Sequence, residues 1–306
     1  MTLTTNRREF LAASSAAAAL SAFGVKTALG QETMPRRPIP STGEMLPIVG
    51  LGSSKVVSEV SEHGTEPLAA VLRALRARGG SVVDTWPRDV TNDTGLGQVL
   101  AEPDLQDSLF VTTKIDRTGK EAGIEQFRQT QDVYGRQTLD LAQIMSLADL
   151  DVQWPNLQDW KAAGDARYIG VTVSQYGLYE QLEAFLQRET PDFIQINYSI
   201  TERRAEERLL PLAADMGLGV LINRPFMNGS YFGRLEGVPL PDWTAEFDCG
   251  SWAQFSLKYI LAHPTVTCVL TETSNPVHMT ENAGTAFGRM PDEAAKAMMR
   301  EYIDQV

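Results

Sequence analysis

Two kinds of hydrophobic spacing alternate along this chain. Short apolar runs, rich in Val and Ile, occupy 46–51, 81–85, 109–115, 140–147, 166–173, 193–198, 219–223 and 265–270. Each is too short for an isolated helix and has the composition of a buried strand. The stretches between them carry a helical period. In 66–80 ("EPLAAVLRALRARGG"), Leu68, Val71, Leu72 and Leu75 share one face, and a Gly pair stops the helix. The same grammar recurs in 176–189, 202–217, 251–264 and the final 292–306. Eight strands alternating with helices predict an α/β protein, a (β/α)8 TIM barrel in a single domain. The competing architecture is an open doubly wound sheet with a Gly-rich turn after its first strand. Gly50 to Lys55 reads "GLGSSK", which is not that turn. The barrel is expected over 45–306, preceded by a Pro-rich linker or N-terminal cap over 31–44.

Residues 1–30 form a segment of a different kind. "NRREFL" places Arg7 and Arg8 ahead of an Ala-rich apolar run, and Ala28 and Gly30 offer small residues before a cut at Gln31. This resembles a twin-arginine export signal, which implies the twin-arginine export machinery as a partner and the periplasm as destination. A plain basic tail is the alternative. The apolar run falls short of the roughly 20 residues a membrane span needs, so stable membrane insertion is not expected.

Charge narrows the partners. The chain of 306 residues carries a formal net charge of −12, and its first 30 residues are basic, so the remainder is more acidic still. With no basic stripe, nucleic acid is not an expected partner. The histidines His63, His263 and His278 have no ligand spacing to one another or to the cysteines, so no metal site is expected. Cys249 and Cys268 could pair in an oxidising compartment, although Cys268 sits in an apolar run that favours a buried thiol.

Residues 81–89 ("SVVDTWPRD") concentrate the candidate chemistry. An apolar run ends in the acid Asp84, and Pro87 prevents the strand from continuing. A barrel strand that delivers a side chain to its C-terminal end has this pattern.

Several stretches, in order, carry a resemblance to the aldo/keto reductase family: "LPIVGLG", "VVDT" at Asp84, "LFVTTK" at Lys114, "DLAQI" at Asp140, "ARYIGVT" at Thr172, "FIQINYS" at Gln195, "NRPF" at Asn223 and "TSNPVHMTEN" at Asn282. The resemblance spans nearly everything after residue 37. It implies a (β/α)8 barrel that reduces carbonyls with a nicotinamide cofactor, NAD(P)(H). In that family a Tyr donates the proton, a Lys lowers its pKa, an Asp holds the Lys and a His orients the carbonyl oxygen. Asp84 and Lys114 match the Asp and Lys. Asp89 stands at the Tyr position and Met145 at the His position, so altered or weak activity is expected. Asp89 is a poor substitute acid, because a carboxyl near Lys114 prefers to be ionised. The implied cofactor contacts are Thr172, Gln195, Asn223, Phe226, Gly229, Thr273, Ser274, His278, Glu281 and Asn282. Val173 replaces a hydrogen-bonding residue, and Glu272 would repel a 2′-phosphate, so NADP preference is doubtful.

Each of these residues also has a plainer reading. Asp84 and Lys114 could be only a buried ion pair. Met145 could fill the core, Asp89 could face water, and Trp86 and Trp252 could simply pack. Three functions therefore stand side by side: an aldo/keto reductase-like oxidoreductase acting on a small carbonyl, a non-catalytic periplasmic barrel for a small ligand or partner, and cofactor-free proton transfer by Asp84, Asp89 and Lys114.

Overall fold

A computed structural model describes residues 33–306, and the expected export segment over 1–30 lies outside them. Eight strands close into a barrel: β3 (Val49–Gly52), β4 (Val82–Asp84), β5 (Phe110–Ile115), β6 (Leu139–Met145), β7 (Ala166–Thr172), β8 (Phe193–Asn197), β9 (Gly219–Asn223) and β10 (Cys268–Glu272). Every neighbouring pair is parallel, and β10 closes the ring by pairing with both β9 and β3. This is the (β/α)8 barrel that the alternating spacing predicts.

The first predicted strand, 46–51, is split. Its beginning joins β2 (Met45–Pro47), which pairs antiparallel with β1 (Arg36–Pro38). Residues expected to form a linker or cap thus build a hairpin. Ile39 and Leu46 cluster with the inward side chains of the barrel's lower layer, Val82, Phe110, Leu141, Tyr168, Phe193, Leu221, Cys268 and Leu270. Two glycines make room for this layer. A Cβ at Gly170 would lie 2.4 Å from the Phe193 carbonyl oxygen, and one at Gly219 would lie 2.5 Å from the Phe193 ring. The barrel floor is therefore packed and apolar.

A second, larger cluster lies between the barrel wall and the helices. The helix Glu66–Ala77 buries Leu68, Ala69, Val71, Leu72 and Leu75 on the face its spacing predicts, starts with Pro67 in its first turn, and is followed by Gly79 at φ 87°. Leu72→Ala would cost about 2–5 kcal/mol through the cavity it leaves. Cys249 and Cys268 are both buried free thiols. No helix of the described residues is long and apolar enough to cross a membrane.

Candidate active site

The C-terminal ends of β4, β5, β7, β8 and β9 each bring a polar side chain to the mouth of the barrel. Period-two alternation within each strand, in register with its neighbour, does this: Lys114 stands beside Gln143, and Thr172 beside both Met145 and Gln195. At the centre is Asp84. Its Oδ1 accepts from Lys114 Nζ at 2.6 Å and from Thr112 Oγ1 at 2.6 Å, and its Oδ2 accepts from Gln195 Nε2 at 3.1 Å. Lys114 Nζ also donates to the Thr85 carbonyl oxygen at 3.0 Å. Both residues are more than nine-tenths buried. Burial pushes the Lys114 ammonium below its usual pKa; the Asp84 carboxylate opposes that shift, and the Arg88 guanidinium adds to it.

Two cavities open at this end. The first, of about 460 Å³, has Asp84, Lys114, Thr172, Gln195 and Asn223 among its polar lining and Trp86, Met145, Phe226 and Leu270 among its apolar walls. The second, of about 330 Å³, is bordered by Trp252, Thr273, His278, Glu281 and Asn282. The two share Phe226, Phe232 and Glu272. Two buried acceptors beside the first cavity, Gln195 Oε1 and Asn223 Oδ1, have no protein donor. Asn223 Nδ2 spans to the Val173 carbonyl oxygen at 3.1 Å. Glu272 is tied down: its Oε1 accepts the Lys55 backbone N–H at 2.7 Å, at the start of the short helix Ser54–Ser58.

The sequence-derived candidates divide accordingly. Asp84, Lys114, Met145, Thr172, Gln195, Asn223, Phe226 and Gly229 line the first cavity, and Thr273, His278, Glu281 and Asn282 line the second. Ser274 lines neither. Asp89 is also absent from both. It is exposed and caps the helix Val90–Leu100, with Oδ1 accepting the Asn92 backbone N–H at 3.0 Å and Oδ2 accepting from Asn92 Nδ2 at 2.6 Å. These bonds hold its carboxyl below the ordinary Asp value. Neither a Tyr nor a His lines the first cavity. Proton transfer that recruits Asp89 alongside Asp84 and Lys114 is contradicted by this placement.

Other lining residues were not legible as candidates. Ser146, Arg224 and Asn228 line the first cavity with left-handed backbones, at φ 53°, 52° and 55°. Strain of that kind gathers at binding loops. Only the Asn228–Gly229 pair carries a sequence signal for it. Arg224 Nη1 donates to the Ser174 carbonyl oxygen at 2.9 Å. Behind the cavity, the Arg88 guanidinium stacks on Trp86 with its carbon 3.9 Å from the ring centroid, backing one cavity wall with a cation.

Comparison with solved structures returns the same fold. An aldo-keto reductase from Klebsiella pneumoniae in complex with NADPH is 19% identical, with a TM-score of 0.72 over 89% of this chain and 96% of that one. A glycerol dehydrogenase from Gluconobacter oxydans is 18% identical, with a TM-score of 0.73 over 90% and 96%. The holo form of an aldo-keto reductase from Bacillus halodurans is 19% identical, with a TM-score of 0.68 over 89% and 96%. A search of curated protein sequences finds no match. The model of the aldo/keto reductase family matches residues 49–301, from the first barrel strand into the last helix, and the chain belongs to that family.

Proposed function

We propose that this chain is an exported oxidoreductase that reduces a small carbonyl compound with a nicotinamide dinucleotide, and that it does so slowly because Asp89 and Met145 stand in place of the family's Tyr and His. The observation that carries this reading is the pair of adjoining cavities with two unpaired buried acceptors, Gln195 Oε1 and Asn223 Oδ1. A carboxamide N–H2 suits such acceptors, which are costly to leave unpaired. The cavity residues thus fit the nicotinamide end, with Thr172 beside them, and Thr273, Glu281 and Asn282 suit the adenosine end. The relative from Klebsiella pneumoniae was crystallised with NADPH. In this chain Glu272 stands in the shared wall as a carboxylate that would repel a 2′-phosphate, which favours NAD(H).

When bound, the dinucleotide supplies hydride. The chain's own residues position the partner and manage the proton. Trp86, Met145 and Leu270 exclude water, and Gln195 and Thr172 fix orientation. Lys114 Nζ, gripped by Asp84, is the buried N–H donor at the cavity floor. The absence of a phenol removes general acid help that is typically worth about 10²–10⁴-fold.

Titrating the mature protein with NADH and NADPH tests the binding. Saturable fluorescence change is expected, at lower concentration for NADH. Silence from both at millimolar concentration would overturn the reading. A second reading, a non-catalytic ligand-binding barrel, is favoured by one observation: no Tyr or His lines the first cavity and Asp89 is turned away from it. Turnover abolished by Lys114→Met would eliminate that alternative. Export by the twin-arginine route to the periplasm rests on Arg7 and Arg8; replacing both with Lys should leave the protein in the cytoplasm on fractionation.

A further inference from the structure

We propose that Lys114 is also a carbonyl-capturing amine, whose Nζ condenses with a small aldehyde or ketone in the first cavity to form an imine. This activity shares the proposed carbonyl ligand with the reductase reading but needs no dinucleotide.

The geometry supports it in three ways. Lys114 is 5% exposed, and the space it touches is the 460 Å³ cavity. Its nitrogen has two protein partners, Asp84 Oδ1 and the Thr85 carbonyl oxygen. An ammonium carries three N–H groups, so one position on the nitrogen has no protein partner to displace. No phenol or imidazole lines the cavity to compete for a bound carbonyl oxygen.

The electrostatics agree. Attack requires the neutral amine, and burial moves Lys114 toward it; Asp84 opposes, and Arg88, behind the Trp86 wall, reinforces. Asp84 has a use on the product side. Fixed by Thr112 and Gln195, its carboxylate remains beside the nitrogen when that nitrogen becomes a cationic iminium. Burial alone does not distinguish Lys114. Lys258 and Lys296 are more buried still, yet neither lines either of the two cavities, while Lys55, which does line the first, is exposed.

The step balances without an oxidant or reductant. The ammonium releases one proton to water. The nitrogen lone pair forms a C–N bond at the carbonyl carbon as the carbonyl π pair moves to oxygen, and one N–H proton passes to that oxygen, giving a neutral carbinolamine. The hydroxyl takes back the first proton from water and leaves as water, while the nitrogen lone pair closes the C=N bond as an iminium that keeps one N–H.

Reductive trapping tests this on the intact wild-type protein. Glyceraldehyde, acetone and pyruvate would each be supplied with sodium cyanoborohydride at neutral pH, and every lysine scored by peptide mass spectrometry. We expect at least one probe to label Lys114 ten-fold or more faster than Lys120, which is exposed and lines neither cavity. A lysine that serves only as an ion-pair partner gives the reverse order, because burial protects it. Labelling of Lys120 with Lys114 spared by all three probes would overturn the proposal. Lys114→Arg, which keeps a cation against Asp84, should remove the mass shift. The two readings fail separately: capture at Lys114 without dinucleotide binding removes the cofactor reading alone, and dinucleotide binding with Lys114 spared removes this one alone.

Discussion

Lys114 and Lys258 both bury a charged nitrogen, and their surroundings put it to opposite uses. Lys258, on the helix Trp252–Leu261, donates to the carbonyl oxygens of Phe287 and Arg289 and fastens that loop to the helix. Lys114 instead meets a carboxylate and faces a cavity. Burial lowers both ammonium groups from the usual Lys value. A perturbed charge therefore does not mark a functional site by itself. The carboxylate and the open space next to it separate the two.

Mutations can break that comparison. The largest effect is expected for Asp84→Ala, which strands the Lys114 charge: about 3–5 kcal/mol of stability lost by urea unfolding, together with loss of carbonyl capture. Lys258→Met should cost about 2–3 kcal/mol, because two loop carbonyls lose their charged donor, and should leave dinucleotide affinity unchanged. If instead it abolished binding, the division between the two regions would be wrong. Gln195→Leu should weaken dinucleotide binding about ten-fold, roughly one charge-neutral hydrogen bond, read by fluorescence titration.

pH sharpens the same contrast. The Lys114 pKa is lower in the folded state than in the unfolded chain. Between those two values the unfolded state binds more protons, so stability rises with pH through that window. Lys114→Met should flatten that rise in unfolding curves measured at alkaline pH. The smallest effect is expected for Asp89→Ala. Its carboxyl is held below the ordinary Asp value, so the cap stabilises above that value and its contribution fades as pH falls through the lowered one. A slight drop in melting temperature at neutral pH, smaller at strongly acidic pH and with binding intact, is the expected result.

The barrel was legible because its two hydrophobic periods are physically distinct, and each strand end could be located where an apolar run met a polar residue. The hairpin at the floor was harder to see: β1 and β2 are three residues each, too short to show a period. Asp84 was readable where an apolar run met an acid, and Lys114, Thr172 and Gln195 through the family resemblance; strand alternation then brings all four to the mouth. Asp89 was not, because its direction depends on how the backbone leaves Pro87. The helix that follows, "VTNDTGLGQVL", contains two glycines and little apolar periodicity, so its start was easy to miss although an Asp is a natural N-cap. Ser146 and Arg224 owe their place to left-handed backbones that their residue types do not advertise.

The packed floor has a consequence for traffic through the barrel. Ile39 and Leu46, with the ring of Phe110, Tyr168 and Phe193 side chains, seal one end of the barrel, so both cavities are reached from the opposite end. A molecule seated against Asp84 and Lys114 leaves only by the way it came. Entry and exit of that molecule therefore share one route, and whatever narrows the mouth slows both alike.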